Sequence, residues 1–292
     1  MKTYKIFSDS TTDITPAMAK ELDVEIIPLS YILDGVTYQD GVEEGAEGNS
    51  IQMFYEKLAQ GATASTTQVN AEDFMLHFEP ALKAGQDILY LAFSSGLSGT
   101  CQSAMIAKKE LQEKYPQRRI EVFDSLAASM GEGLFLYYTA KKRLDGMELE
   151  DLLRWMKENV LRVAHWFTVD DLHSLKRGGR ISTATAILGT VLGIKPVLHV
   201  DDAGHLIPYS KVRGRKQSLD ALVKRMEQTG IQDPEQVVFI SHANAIADAK
   251  YIEAEIKRKF HVKNVYINYI GTVIGSHTGP GCIALFFMGN ER

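Results

Sequence analysis

Short apolar runs alternate with longer amphipathic stretches through the first half of the chain. Tyr4 to Phe7 reads as a strand, followed by the polar loop Ser8-Asp9-Ser10-Thr11-Thr12-Asp13. Thr15-Pro16 opens a helix, with Thr as N-cap and Pro at the first helical position, where its missing N–H costs nothing. Val24 to Leu33 reads as a second strand, closed by the turn Asp34-Gly35. Ser50 caps a helix ending near Gln60, and Asn70, followed by Asp73, caps another ending near Lys83. Ile88 to Phe93 is a buried strand, Gln102 to Tyr115 a helix, and Ile120 to Phe123 another strand. Strands alternating with helices predict an α/β fold with a doubly wound, mostly parallel sheet. Ligands of such sheets sit at the carboxyl ends of the strands, which is where Asp9, Ser94 and Asp124 fall.

The second half is patterned differently. Helices are predicted at Leu126 to Leu144 and Leu149 to Leu161, then a strand at Val163 to Val169. Ser182 to Leu192 reads as an apolar helix, and Lys195 to Val200 with His205 to Tyr209 as a hairpin about Asp201-Asp202-Ala203-Gly204. A helix at Ser218 to Thr229 precedes an α/β unit: a strand at Val237 to Ser241, a helix to Phe260, and a strand at Val262 to Tyr269. Ala284 to Met288 is a last apolar strand. The change of pattern near Leu161 divides the chain into two α/β domains, 1–161 and 162–292, the second an α/β sandwich.

Composition narrows the partners. A chain of 292 residues with 45% hydrophobic and 24% charged residues can bury two cores. A net charge of -5 argues against a nucleic-acid face and against strong attraction to anionic membranes. The two cysteines, Cys101 and Cys282, show no metal-ligand spacing and read as reduced, buried thiols. Met1-Lys2-Thr3-Tyr4 enters a strand at once, without an apolar signal region, so the expected location is the cytoplasm.

The candidate chemistry lies in turns. Ser94-Ser95-Gly96-Leu97-Ser98-Gly99-Thr100 joins a buried strand to a helix. It sets hydroxyls beside the free N–H groups and positive potential of a helix start, a place suited to a carboxylate or phosphate. Thr63-Ala64-Ser65-Thr66-Thr67-Gln68 is a second hydroxyl cluster before a helix, read alone as a polar loop. Asp9 to Asp13 matches no EF-hand and reads as capping and turn residues. Lys176-Arg177-Gly178-Gly179-Arg180 is a basic glycine turn, and Arg213 and Arg215 form a second basic cluster. Gly271 to Gly281 reads as a loop whose glycines permit close backbone approach to a ligand, with hydroxyls around His277, which can serve as acid, base or hydrogen-bond donor.

Two enzyme readings stand beside a binding one. A Ser/His-dependent esterase or acyl hydrolase would use Ser98 or Ser95 with His277 and Asp124. However, the nucleophile elbow Gly-x-Ser-x-Gly is one residue out of place in Gly96-Leu97-Ser98-Gly99. A phosphotransferase acting alone would need a phosphate loop, and no Gly-x4-Gly-Lys-Ser/Thr occurs.

Taken together, five segments resemble the bacterial DegV family, which includes the fatty-acid-binding subunits of fatty acid kinase. They are Ser8 to Asp13, Tyr38-Gln39-Asp40-Gly41-Val42, Ser94 to Thr100, Gly178-Gly179-Arg180-Ile181-Ser182, and Gly271 to Gly281. The resemblance covers about residues 3 to 289. It implies a long-chain fatty acid such as palmitate in an apolar tunnel between the two domains, with no other cofactor and no metal. By position it assigns the carboxylate to Thr66 and Ser98, with Ser95 nearby and His277 and Arg180 close to the head group. It also implies an ATP-binding partner kinase that makes the acyl phosphate for phospholipid synthesis, with Arg213 and Arg215 helping to dock it. The chain departs from the family pattern at Thr66-Thr67-Gln68-Val69, where Thr-Ser-Gln-Pro is usual. A second departure is an altered or longer loop at Glu43 to Asn49.

Overall fold

The computed structural model describes residues 3–41, 50–170, 172–182 and 193–292. The altered loop at 43–49 lies outside the described residues, as does nearly all of the helix expected at 182–192. In the first half the order is β1 (Tyr4–Asp9), α1 (Pro16–Glu21), β2 (Val24–Ile27), β3 (Ser30–Leu33), β4 (Val36–Gln39), α2 (Ile51–Ala59) and β5 (Ala64–Thr67). It continues with α3 (Ala71–Lys83), β6 (Asp87–Ala92), α4 (Thr100–Lys114), β7 (Ile120–Asp124), α5 (Met130–Leu144) and α6 (Leu149–Asn159). The second half holds β8 (Val163–Thr168), α7 (His173–Arg177), β9 (Ile194–Val200), β10 (Leu206–Arg213), α8 (Arg215–Thr229) and β11 (Val237–His242). It ends with α9 (Ile246–Phe260), β12 (Asn264–Tyr269), α10 (Thr272–Thr278) and β13 (Ile283–Met288).

The caps read from sequence are made. Thr15 Oγ1 accepts from the Met18 N–H at 3.1 Å, Ser50 Oγ from Met53 at 3.2 Å, and Asn70 Oδ1 from Asp73 at 2.9 Å. Each satisfies one N–H that the first helical turn leaves unpaired.

The strands form a parallel sheet in the order β2-β1-β6-β7, a mixed sheet in the order β10-β9-β8-β13-β11-β12, and a small antiparallel sheet β4-β3-β5. The apolar run from Val24 to Leu33 is therefore two strands in two sheets, not one. Pro28 stands between them without an N–H to continue a ladder, and Leu29 turns away so that its N–H donates to Ser10 Oγ at 3.1 Å. The Thr63 to Gln68 cluster is also corrected: Ala64 to Thr67 is strand β5, paired with β3. Helix α5 begins at Met130 rather than Leu126, because Leu126 and Ser129 adopt positive φ angles of 50° and 54° that no helix can contain.

Alternation along the strands divides the core. In β6, Leu89 and Leu91 face a cluster shared by both halves, while Ile88 and Tyr90 face one under α3 and α4. In β13, Ala284 and Phe286 face the shared cluster, while Leu285 and Phe287 face one under α8 and α9. Period-two alternation thus gives β6 and β13 two buried faces each. The middle cluster, with α5 packed on β8, β11 and β13, joins the two sheets. Burying one Phe or Leu side chain there contributes about 1.5–3 kcal/mol.

Candidate functional site

A cavity of about 180 Å³ opens in this shared middle layer. The first half lines it with Thr66 at the end of β5, with Leu97 and Ser98 beyond the carboxyl end of β6, and with Ser129 before α5. The second half supplies His165 and Phe167 of β8, Arg180, His277 of α10, and Phe286 of β13. Most of the remaining wall is apolar, including Val200 and Leu206 of the β9–β10 hairpin.

Polar groups gather at one end. Thr66 Oγ1 lies 2.9 Å from His277 Nε2. His277 rests on Gly178, where a Cβ would come within 2.2 Å of Nδ1. Two residues on, Arg180 donates from Nε to the Leu97 carbonyl at 3.1 Å and from a terminal nitrogen to the Gly178 carbonyl. Ser98 follows Leu97 and exchanges a hydrogen bond with Thr100 Oγ1 at 2.9 Å. Thr66, Ser98, Arg180 and His277 are therefore joined through short contacts although they come from four separate segments.

Elsewhere the wall is mostly apolar, although His165 and Ser129 line it too. Phe167 and His165 alternate along β8 and face the same side, about 7 Å apart. In register with them on β13 stand Ala284 and Phe286. His277 and Arg180 thus share one cavity with Phe286, Val200 and Leu206.

The polar end is electropositive. Burial, reinforced by Arg180 and Arg177, pushes the His277 imidazole down to about 4. At neutral pH it is uncharged, with Nδ1 buried and without a partner. The positive potential that disfavours a proton on His277 favours an anion beside it. The Cys282 thiol lines the cavity and is pushed up to about 12 by burial, so it stays protonated. Cys101 and Cys282 are both free and buried, as expected.

Several candidates fall elsewhere. Ser95 is exposed and does not line the cavity; the turn directs it outward, with its N–H donating to Asp124 Oδ1 at 3.2 Å. Ser94 is buried and donates to the Gly204 carbonyl at 2.9 Å, tying the turn to the opposite hairpin. Arg215 is committed within the fold, donating to Asp248 Oδ2 at 2.8 Å and to the Gly281 carbonyl at 2.6 Å. Arg213, by contrast, stands exposed at the end of β10. The hydrolase constellation is not assembled. Ser98 bonds Thr100, His277 bonds Thr66, and Asp124 accepts from the Ser95 and Leu126 N–H groups rather than from His277.

The glycine-rich Gly271 to Gly281 segment is not a loop but carries helix α10. Gly275 serves packing, whereas Gly279 and Gly281 adopt positive φ angles of 73° and 80° after the helix. At Gly275 a Cβ would lie 2.4 Å from the Tyr55 hydroxyl, which donates to the Ile270 carbonyl at 2.6 Å. Two cavity residues, His165 and Ser129, carried no signal in the sequence, since each sits in an ordinary apolar or helical stretch. Among the described residues no group of three His, Cys, Asp or Glu side chains could hold a metal ion.

Comparison with known proteins agrees with this architecture. The family model described as "Uncharacterised protein, DegV family COG1307" matches residues 3–290. A DegV domain-containing protein of Clostridium perfringens is 44% identical over 292 residues, covering 100% of this chain and 99% of the relative. A structure described as a DegV family protein from Thermus thermophilus with fatty acid binding has a TM-score of 0.87 at 29% identity, covering 98% of this chain and 99% of that one. A DegV lipid binding protein from Thermotoga maritima has a TM-score of 0.86 at 29% identity, with 100% of both chains covered. On its sequence and its fold, the chain belongs to the DegV family.

Proposed function

We propose that the cavity holds a long-chain fatty acid such as palmitate, its carboxylate at Thr66, Ser98, His277 and Arg180. The acyl chain then lies along Phe167 and Phe286. One observation carries this reading: a mainly apolar cavity in which the Thr66 hydroxyl, a neutral imidazole and a guanidinium are joined by short contacts. A carboxylate buried without partners costs several kcal/mol, and two hydroxyl donors beside a cation offset that cost. Each acyl CH2 removed from water adds about 0.8 kcal/mol. The relatives from Thermus thermophilus and Thermotoga maritima, described as binding fatty acid and lipid, support the same ligand class.

The bound acid is presented to an ATP-dependent partner kinase in the cytoplasm. That kinase transfers the γ-phosphoryl group of ATP to a carboxylate oxygen, leaving ADP and an acyl phosphate. In this reading Thr66 and Ser98 hold the head group and do not act as nucleophiles. Exposed Arg213 belongs to the docking face, whereas Arg215 supports the fold.

Displacement of a fluorescent acyl probe tests the binding claim. Palmitate should compete with wild type, and Thr66→Val or His277→Ala should weaken it on the order of tenfold, the loss of one buried hydrogen bond to a charged group. A wild-type chain that takes up no palmitate contradicts the reading. Trapping with hydroxylamine tests presentation: hydroxamate should form only with ATP and a fatty acid kinase subunit together, and its formation by this chain with ATP alone contradicts it.

A further inference from the structure

A set of buried acids is not used by the binding reading. Asp9, Asp13, Asp40 and Glu132 are all buried. Their hydrogen bonds come from hydroxyls and backbone N–H groups. Thr11 Oγ1 bridges Asp9 and Glu132 at 2.5 and 2.8 Å, and Tyr90 donates to Asp9 at 2.6 Å. Two of these acids reach α10. Asp13 Oδ1 accepts from the Gly271 N–H at 2.9 Å, and Asp40 Oδ1 accepts from Thr272 N at 3.1 Å and Thr272 Oγ1 at 2.6 Å. Asp13 Oδ2 also accepts from Ser129 Oγ, so one side chain holds the starts of both α10 and α5.

We propose that Asp13 and Asp40 are positioning residues for the carboxylate end of the cavity: they fix where α10 begins, and hence where His277 stands. This rests on the fatty-acid reading above. His277 lies five residues beyond Thr272 in a single short helix, about 7.5 Å along its axis. A shift at Thr272 therefore reaches His277 undiminished. The backbone supports the assignment. Asp13 sits at φ 53°, and Ser129 at φ 54° and ψ -150°, conformations that cost free energy and persist where surrounding contacts impose them. Fixed hydrogen bonds to a desolvated acceptor supply such an imposed geometry. Asp40 has a further property: Oδ2 is buried without a partner, and the residue borders a second cavity of about 490 Å³ that also touches Gly271 and Thr272. Only Oδ1 does the holding.

That asymmetry gives the test. Asp40→Asn keeps an acceptor at the Oδ1 position and changes only the unpartnered oxygen; Asp40→Ala removes the acceptor. The affinities of palmitic acid and of hexadecanol, which lacks the carboxylate, are measured by probe displacement for wild type, both variants and His277→Ala. Folding of each variant is checked by circular dichroism. Asp40→Ala should weaken the acid on the order of tenfold while leaving the alcohol within about twofold, and Asp40→Asn should restore acid affinity. Asp40→Ala with unchanged acid affinity, or with acid and alcohol weakened alike, overturns the proposal. If Asp40→Ala does not fold, Thr272→Val removes one donor instead. It should give a smaller acid-selective loss, and no selective loss overturns the proposal. If His277→Ala weakens the acid but the Asp40 variants do not, the clamp alone fails. If His277→Ala leaves acid and alcohol unchanged, the head-group reading fails and the clamp with it.

Discussion

His277 can be neutral beside two arginines because its surroundings remove water and supply no acid. The basic turn and the histidine were both visible in sequence, but their contact was not, since Gly178 and His277 lie far apart along the chain. The glycine at 178 has a φ of -73°, so alanine there introduces no backbone strain, only a Cβ pressed against Nδ1. Gly178→Ala should weaken palmitate about tenfold, equal to about 1.4 kcal/mol, in a displacement assay; unchanged affinity would show that the ring position is immaterial. The imidazole also makes a pH signature. Unfolded, it takes its proton near 6.5; folded, only at about 4. Between these values the unfolded state binds the proton that the folded state refuses, so stability falls as pH drops from 6.5 toward 4. His242, also lowered to about 4 by burial, acts in the same sense, so the histidine at 277 is isolated by difference. The stability of wild type minus that of His277→Gln should decline over that window in urea titrations, and a difference independent of pH would contradict the assignment.

At the scale of elements, the sequence was most legible where capping chemistry marks a boundary. Thr15, Ser50 and Asn70 each accept the hydrogen bond expected of an N-cap. Asn70→Ala should cost about 1 kcal/mol of unfolding free energy in urea, with palmitate affinity retained; no loss would mean that the α3 cap contributes nothing. Legibility failed where tertiary contacts override local pattern. Val24 to Leu33 is continuous in hydrophobicity, yet Pro28 and the Ser10–Leu29 bond pass it from one sheet to another. Leu126 to Ser129 carries helix-compatible residues, but the chain there is bent to bring Ser129 onto the cavity and Asp13. Gly271 to Gly281 looked like a ligand loop because glycine is a poor helix former. The helix forms because Asp13 and Asp40 hold its start and Tyr55 packs on Gly275.

At the scale of the molecule, alternating strands and helices were enough to foresee a parallel sheet in the first half and a different one in the second. The shared core between them was not foreseen, because it requires knowing which face of each strand looks across. We propose that the boundary near residue 161, between α6 and β8, separates sheets but not cooperative units. The two tryptophans report on either side: Trp155 stacks on Phe135 in the first half, and Trp166 on His199 in the second. Variants keeping one tryptophan each, Trp166→Phe and Trp155→Phe, should show coincident urea transitions; separated midpoints would mean that each half unfolds alone. Native mass spectrometry of the purified chain decides whether the cavity between these sheets is a fatty-acid site. A species heavier than the 32.5 kDa chain by one long-chain fatty acid is expected, lost on denaturation and regained on adding palmitate. A chain that stays bare both as purified and after palmitate is added would contradict it.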